Sequence, residues 1–268
     1  MPRLAVIGHP VGHSRSPAMQ NAALAALGLA GAWSYGAIDV APDGFEARLR
    51  EIAAGGEYAG ANVTVPHKEA ALALADAASG AAREIGAANT LSFEGGRVEA
   101  ENTDAGGLLA ALPGSPWGAR TLLLGAGGAA RAALWALVAE GAEVEVWNRT
   151  ASRAEAICAE LGGKPVAAPA EGEYDLVVNT SAAGLGGEDP FAELPLRPEG
   201  FAAGQTVVDM VYGELPSRIL EAAAAAGAAT VDGLEILVQQ GARSLAIWTG
   251  RDPDLDAMRA AARGDTHA

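Results

Sequence analysis

Three observations predict an α/β fold of two domains. Short apolar, β-branched runs alternate with Ala/Leu-rich helical stretches from one end of the chain to the other. A glycine-rich turn in the middle joins one such run to a helix, as a nucleotide-binding unit requires. The 268 residues, half of them apolar, suffice for two modest cores.

In chain order the strand candidates are LAVIG, ANVTV, TLLLGA, EVEVWN, LVVN and TVVDMVY. Between them SPAMQNAALAALG, KEAALALADAA, ARAALWALVAEG and SRAEAICAELGG read as helices, because they open on cap-like residues and mostly stop at glycine. GAANTL runs into a Gly95-Gly96 hairpin and then into AENTDAGG, whose last residues begin the helix AGGLLAAL. No solenoid repeat or low-complexity linker divides the chain, so the boundary is drawn where the Pro/Gly-rich LPGSPWGAR precedes the nucleotide-binding unit. The expected first domain is 1–104, completed by C-terminal helices from about 239 to 268, and the second is 105–238. In LEILVQQGARSLAIWTG, Leu237, Gly241, Leu245 and Trp248 fall on one helical face, suited to packing back onto the first domain.

A formal net charge of −15 excludes partners that need a basic face, which are nucleic acid and acidic membrane surfaces. An anionic ligand must therefore be held by local groups. Cys158 is the sole cysteine, so no intrachain disulfide forms and a reducing compartment fits. The N-terminus runs directly into the apolar segment LAVIG with no basic leader before it, and no apolar run reaches the length of a spanning helix, so a soluble cytoplasmic protein is expected. Positive charge is nearly all arginine, with lysine only at Lys68 and Lys164. Lysine, unlike arginine, can exchange a proton, which directs attention to Lys68; Lys164 lies in the polar turn GGKP and reads as surface.

Gly125, Gly127 and Ala130 fill the G-x-G-x-x-G/A pattern between a buried strand and a helix. The turn Gly125-Ala126-Gly127-Gly128-Ala129 then brings backbone N–H groups and a helix N-terminus to a pyrophosphate. At the end of the next strand, where an NAD site carries an acidic residue, stand Asn148, Arg149 and Thr150, with Arg153 a turn later. A guanidinium with neighbouring amide and hydroxyl groups holds a ribose 2′-phosphate that a carboxylate would repel, so the expected cofactor is NADP. Thr150 or Ser152 also suits a helix cap.

Three further segments carry substrate chemistry. In HSRSP, Ser16 before Pro17 reads as an N-cap, while Ser14 and Ser16 together offer hydroxyls to a carboxylate at a helix N-terminus. His9 and His13 have no metal-ligand spacing and are read as structural, and no metal site is expected. In NVTVPHK, a strand delivers Asn62 and Thr64, and Pro66 starts a helix with Lys68 in its first turn. A cation at that end opposes the macrodipole by up to about 1 kcal/mol, so helix stability is not its purpose and proton transfer is. The third segment supplies Asn89, Thr103 and Asp104, where Asp104 either caps AGGLLAAL or acts with Lys68.

HSRSP, NVTVPHK, GAANT, NTDAGG, GAGGAAR, WNRT, VVDMVY and DGLEILVQQGA occur in this order, and over essentially its whole length the chain resembles shikimate dehydrogenases. The resemblance implies a substrate domain from the N-terminal part plus the last helices, a Rossmann-type doubly wound NADP domain between them, and an active site in the interdomain cleft. It assigns the substrate carboxylate to Ser14 and Ser16, its hydroxyls or ring to Thr64, Asn89, Asp104, Tyr212 and Gln240, and catalysis to Lys68 and Asp104. It adds Met210 and Gly233 to the cofactor site, Gly233 approaching the nicotinamide. The implied reaction is the reversible NADP-dependent reduction of 3-dehydroshikimate to shikimate in aromatic amino-acid biosynthesis. The chain departs from the family's usual residues at Gly213-Glu214, Thr180-Ser181 and Ala88. A quinate/shikimate dehydrogenase of relaxed specificity and a catalytically silent NADP-binding regulator are the alternatives. Oligomeric state is left open, a homodimer included.

Overall fold

The computed structural model describes residues 2–170, 174–185, 187–213 and 217–264. It divides into two compact units, Met1–Gly107 with Leu237–Ala268, and Leu108–Ile236. The strands, in chain order, are β1 (Arg3–Gly8), β2 (Ser34–Asp39), β3 (Tyr58–Val63), β4 (Ala77–Ala78), β5 (Thr90–Glu94), β6 (Arg97–Glu101), β7 (Arg120–Leu124), β8 (Glu143–Trp147), β9 (Lys164–Pro165), β10 (Leu176–Asn179), β11 (Thr206–Asp209) and β12 (Ala229–Asp232).

The first unit holds a mixed sheet in the order β2-β1-β3-β5-β6-β4. β1 is parallel to β2 and β3, while β5 is antiparallel to both β3 and β6. Gly95 and Gly96, both at positive φ, make the expected hairpin between β5 and β6. Ile7, Val63, Leu91 and Val98 from these strands bury against Phe45, Leu49 and Ile52 of helix Phe45–Gly55. The C-terminal chain closes this unit. Trp248 Nε1 donates to Leu91 O at 3.0 Å, Gln20 Nε2 donates to Gly241 O at 2.9 Å, and helix Leu255–Arg263 packs on helix Ser16–Ala26. A side chain at Gly60 would collide with the Trp248 indole, and one at Gly241 would sit 2.5 Å from Met19 Cε, so both glycines permit this close approach.

The second unit is an all-parallel sheet in the order β12-β11-β10-β7-β8-β9, the doubly wound arrangement. Leu123, Val146, Val178 and Val208 bury on one face against Ala133, Leu134 and Leu137 of helix Gly128–Ala139. Leu122, Val177 and Val207 bury on the other against Phe201 and Ile219. The chain order reverses between β7 and β10, the position where this architecture opens a ligand crevice at the strands' carboxyl ends.

Several local readings change. KEAALALADAA is helical only over Lys68–Leu74, because Asp76 N–H donates to Val98 O and Asp76 Oδ2 accepts Val98 N–H, drawing the chain into β4 beside β6. Pro66 precedes that helix rather than starting it. TVVDMVY is a strand only to Asp209, whose Oδ1 accepts the Val211 N–H and turns the chain out of the sheet. No helix among the described residues is long and apolar enough to cross a membrane.

Candidate active site

Lys68 is the first residue of its helix, directly after β3 and its short exit loop. Asp104 is the first residue of helix Asp104–Ala111, entered from β6. Lys68 Nζ donates to Asp104 Oδ2 at 2.6 Å, and both side chains are largely buried, 12% and 6% exposed. This neighbour explains how a lysine is tolerated at the positive end of a helix. Capping of the Asp104 helix falls to Asn102, whose Oδ1 accepts the N–H groups of Asp104 and Ala105 at 3.1 and 3.3 Å. The Asp104 carboxylate is thereby left for Lys68 and for Asn89, whose Nδ2 donates to Asp104 Oδ1 at 2.9 Å.

Asn89 is fixed in turn. Its Oδ1 accepts the Thr103 N–H at 2.7 Å, and its Nδ2 also donates to Gln240 Oε1 at 3.0 Å. Gln240 reaches this point because Gly107 sits beneath it: a Cβ on Gly107 would lie 2.7 Å from Gln240 Cβ and 2.9 Å from its backbone nitrogen. Two glycines inside an otherwise strong helix are a packing requirement here, not a flexibility device. Lys68, Asn89, Asp104 and Gln240 therefore form one hydrogen-bonded cluster.

Ser14 and Ser16 lie at the start of helix Ser16–Ala26, but neither is its side-chain cap. Ser16 is the first helical residue rather than the N-cap, and Ser14 Oγ accepts its N–H at 3.2 Å. Thr64 follows β3, with its N–H on Ile7 O at 2.9 Å, and Gly8 makes room for its methyl group. His9 pairs with Asp39, Nδ1 to Oδ1 at 2.7 Å, and with the Val11 N–H this holds the Asp39 carboxyl below the usual carboxylate range.

In the second unit, Gly125 at φ +117° turns the chain out of β7, a conformation that favours glycine. Its missing Cβ would stand 2.5 Å from Thr180 Oγ1, which donates to Leu124 O at 2.7 Å. Ser181 Oγ donates to Asn179 Oδ1 at 2.7 Å, so both residues of the unusual Thr180-Ser181 pair have structural partners. The N-cap of helix Gly128–Ala139 is Gly127, which offers no side chain to cap it, and among the described residues the space where a Gly127 Cβ would stand is open for 4 Å. An uncapped N-terminus of a twelve-residue helix beside such space fits a pyrophosphate.

Asn148, Arg149 and Thr150 follow β8 without a carboxylate among them, and Asn148 Nδ2 donates to Thr150 O at 2.9 Å. The Arg149 side chain is 82% exposed, with Glu193 Oε2 at 3.4 Å, and Arg153 is exposed. Thr150 precedes helix Ala151–Leu161 without a side-chain capping bond. Met210 and Gly233 meet at the ends of β11 and β12, where a Gly233 Cβ would be 2.6 Å from Met210 O. Tyr212 is half-buried after β11, Gly213 is exposed, and Glu214 lies outside the described residues.

Tyr35, Thr90, Asn102 and Ser244 are the members of the substrate-unit network that sequence reasoning passed over. Asn102 carried a usable signal, an Asx residue at the start of a helix. Ser244 carried one too: it lies one turn after Gln240 on the helix face that also holds Gly241, Leu245 and Trp248.

Family models match along the chain: the shikimate dehydrogenase substrate binding domain at residues 6–91, shikimate / quinate 5-dehydrogenase at 112–180, and the shikimate 5'-dehydrogenase C-terminal domain at 233–263. An NADP(+) shikimate dehydrogenase of Thermus thermophilus is 46% identical over 265 residues, covering 98% of both chains. This chain belongs to the shikimate dehydrogenase family. A second family member, the NADP(+) shikimate dehydrogenase of Anaeromyxobacter sp. strain Fw109-5, is 48% identical, covering 92% of this chain and 90% of its own. The crystal structure of shikimate 5-dehydrogenase from Thermus thermophilus in complex with NADP(H) and shikimate superimposes with a TM-score of 0.90 at 44% identity, covering 98% of this chain and 99% of that one.

Proposed function

We propose that this family member catalyses the reversible NADP-dependent reduction of 3-dehydroshikimate to shikimate, with Lys68 and Asp104 at the reacting centre. The observation that carries the reading is the buried Lys68–Asp104 pair, held at 2.6 Å by groups that serve no cap and no surface. Family membership sets the substrate class, and the pair supplies a proton donor where the ketone oxygen becomes an alkoxide.

NADPH, when bound, supplies the hydride for the C3 ketone. Lys68 donates a proton to the developing oxygen, and in the oxidation direction it accepts the proton of the alcohol. Asp104 holds the ammonium in place through Oδ2 while Asn89 holds Asp104 through Oδ1. Thr64, Asn89, Asp104, Tyr212 and Gln240 contact the hydroxyls or ring, and Ser14 and Ser16 take the carboxylate. The turn Gly125–Ala129 receives the pyrophosphate, Asn148, Arg149, Thr150 and Arg153 the 2′-phosphate, and Met210 and Gly233 the nicotinamide side. The absence of a carboxylate after β8 supports NADP over NAD. The enzyme acts in the cytoplasm, in aromatic amino-acid biosynthesis. Shikimate oxidation by the purified chain, compared with a Lys68→Ala variant, tests the reading: activity that survives the substitution intact would remove Lys68 from the mechanism.

A further inference from the structure

Beneath Asn89 the substrate unit contains a polar cluster that no cap, turn or surface requires. Tyr35, Asn62, Thr90, Thr103 and Ser244 are each at most 5% exposed. Tyr35 Oη donates to Asn62 Oδ1 at 2.7 Å, and Asn62 Nδ2 donates to Ser244 Oγ at 2.8 Å. Ser244 Oγ lies 2.8 Å from Thr90 Oγ1, and Thr90 Oγ1 lies 3.1 Å from Asn89 Oδ1 as its donor. Thr103 Oγ1 stands 3.1 Å from Ser244 Oγ and 3.2 Å from Thr90 Oγ1, closing a triangle of hydroxyls. Ser244 accepts from Asn62 and has one proton with two acceptors in reach, its own helix's Gln240 O at 3.1 Å and Thr90 Oγ1 at 2.8 Å; with that proton on the shorter contact, the proton of Thr90 goes to Asn89 Oδ1. In that hydroxyl arrangement every donor in the chain Tyr35, Asn62, Ser244, Thr90, Asn89 points the same way, toward Asp104, and aligned hydrogen bonds of this kind reinforce one another.

We infer that Thr90 and Ser244 are positioning residues that act through Asn89 on the Lys68–Asp104 pair. The inference rests on the function proposed for Lys68, Asn89 and Asp104. Burying this many polar groups is unfavourable relative to an apolar core of the same volume, so stability alone does not account for the cluster. Orientation does. The Asn89 amide oxygen accepts the Thr103 N–H at 2.7 Å and the Thr90 hydroxyl, which leaves Nδ2 facing Asp104 Oδ1 and Gln240 Oε1. A reversed amide would set oxygen against those two oxygens and nitrogen against the Thr103 N–H. Removing the hydroxyls loosens this preference, and the carboxylate that holds Lys68 loses its fixed donor.

The test uses the full-length chain carrying Thr90→Val, which keeps the side-chain shape and deletes the hydroxyl, with Thr90→Ser, Asn89→Ala and the Thr90→Val/Asn89→Ala double variant. Steady-state shikimate oxidation and thermal melting are measured for each. Thr90→Val is expected to lower kcat about tenfold, in line with small misplacements of catalytic groups, while the KM for NADP stays within about twofold. Thr90→Ser restores turnover, and in the Asn89→Ala background Thr90→Val changes nothing further. Should Thr90→Val fail to fold, Ser244→Ala removes a smaller group from the same chain and is read in the same way. Wild-type turnover in Thr90→Val or Ser244→Ala while Asn89→Ala is impaired would overturn the inference and leave the proposed function standing. Additive losses in the double variant would do the same. An unimpaired Asn89→Ala enzyme would overturn the role given to Asn89 itself, and this inference with it.

Discussion

Replacing Lys68 with alanine deletes the ammonium that donates to Asp104 Oδ2 at 2.6 Å and leaves the carboxylate with the Asn89 amide as its remaining side-chain donor. Positioned proton transfer is typically worth 10²–10⁴ in rate, so kcat should fall at least ~100-fold, which is ~2.7 kcal/mol of transition-state stabilisation or more. The loss should appear in kcat and kcat/KM together, because the interaction forms as the oxygen becomes charged. Breaking a buried ion pair by removing one partner also destabilises the fold, typically by about 3–5 kcal/mol, an upper bound here because Asp104 keeps the Asn89 amide as a donor. Thermal melting must therefore accompany the kinetics. The assay is steady-state shikimate oxidation followed by NADPH absorbance, with the KM for NADP expected to stay near the wild-type value. Lys68→Arg separates charge from proton transfer: it keeps positive charge and donors but does not surrender a proton at ordinary pH. Near-wild-type turnover in the arginine variant would refute proton transfer by Lys68 and leave it an anchoring cation.

Arg149→Ala should raise the KM for NADP by roughly 10–100-fold, the range expected for a lost charged hydrogen bond, with little change for NAD; equal losses with both cofactors would refute the 2′-phosphate assignment. Ser16→Ala should raise the KM for shikimate but leave stability within about 0.5 kcal/mol, below the ~1 kcal/mol of a lost cap, since Ser16 caps nothing. An analogue lacking the carboxylate should not distinguish that variant from wild type. Gly107→Ala drives a methyl group to 2.9 Å from the Gln240 backbone nitrogen and should destabilise by about 1–3 kcal/mol, measured by chemical denaturation, while raising the KM for shikimate. Burial pushes the Cys158 thiol up to about 11. Its folded value therefore exceeds the unfolded one, and the stability this contributes is present below the unfolded value and lost as pH rises toward 11. At mildly alkaline pH a disulfide reagent should label the native chain slowly and the unfolded chain at once; rapid native labelling would contradict the burial.

The α/β class was legible because β7 and β10 are apolar runs and β8 alternates glutamate with valine, with helices that stop at glycine between them, and the period of such runs is decided locally. β2 and β12 were not, since SYGAID and ATVD carry too little apolar character to stand out. The shortened Lys68 helix was invisible for a different reason: alanine-rich KEAALALADAA favours a helix throughout, and only the tertiary pairing of Asp76 with Val98 stops it. At the site, Lys68 could be picked out by its rarity and its conflict with the helix dipole. Asp104 could not be separated from a cap until Asn102 was seen to perform the capping. Thr90 and Ser244 were out of reach because they lie 154 residues apart in sequence.

The most direct measurement is the initial rate of the purified chain with shikimate and with quinate, each offered against NADP and NAD. Shikimate with NADP should be the fastest pair by a wide margin, with NAD poor for both substrates. A chain that prefers quinate with NAD, or turns over none of the pairs while still binding NADP, would contradict the proposed activity.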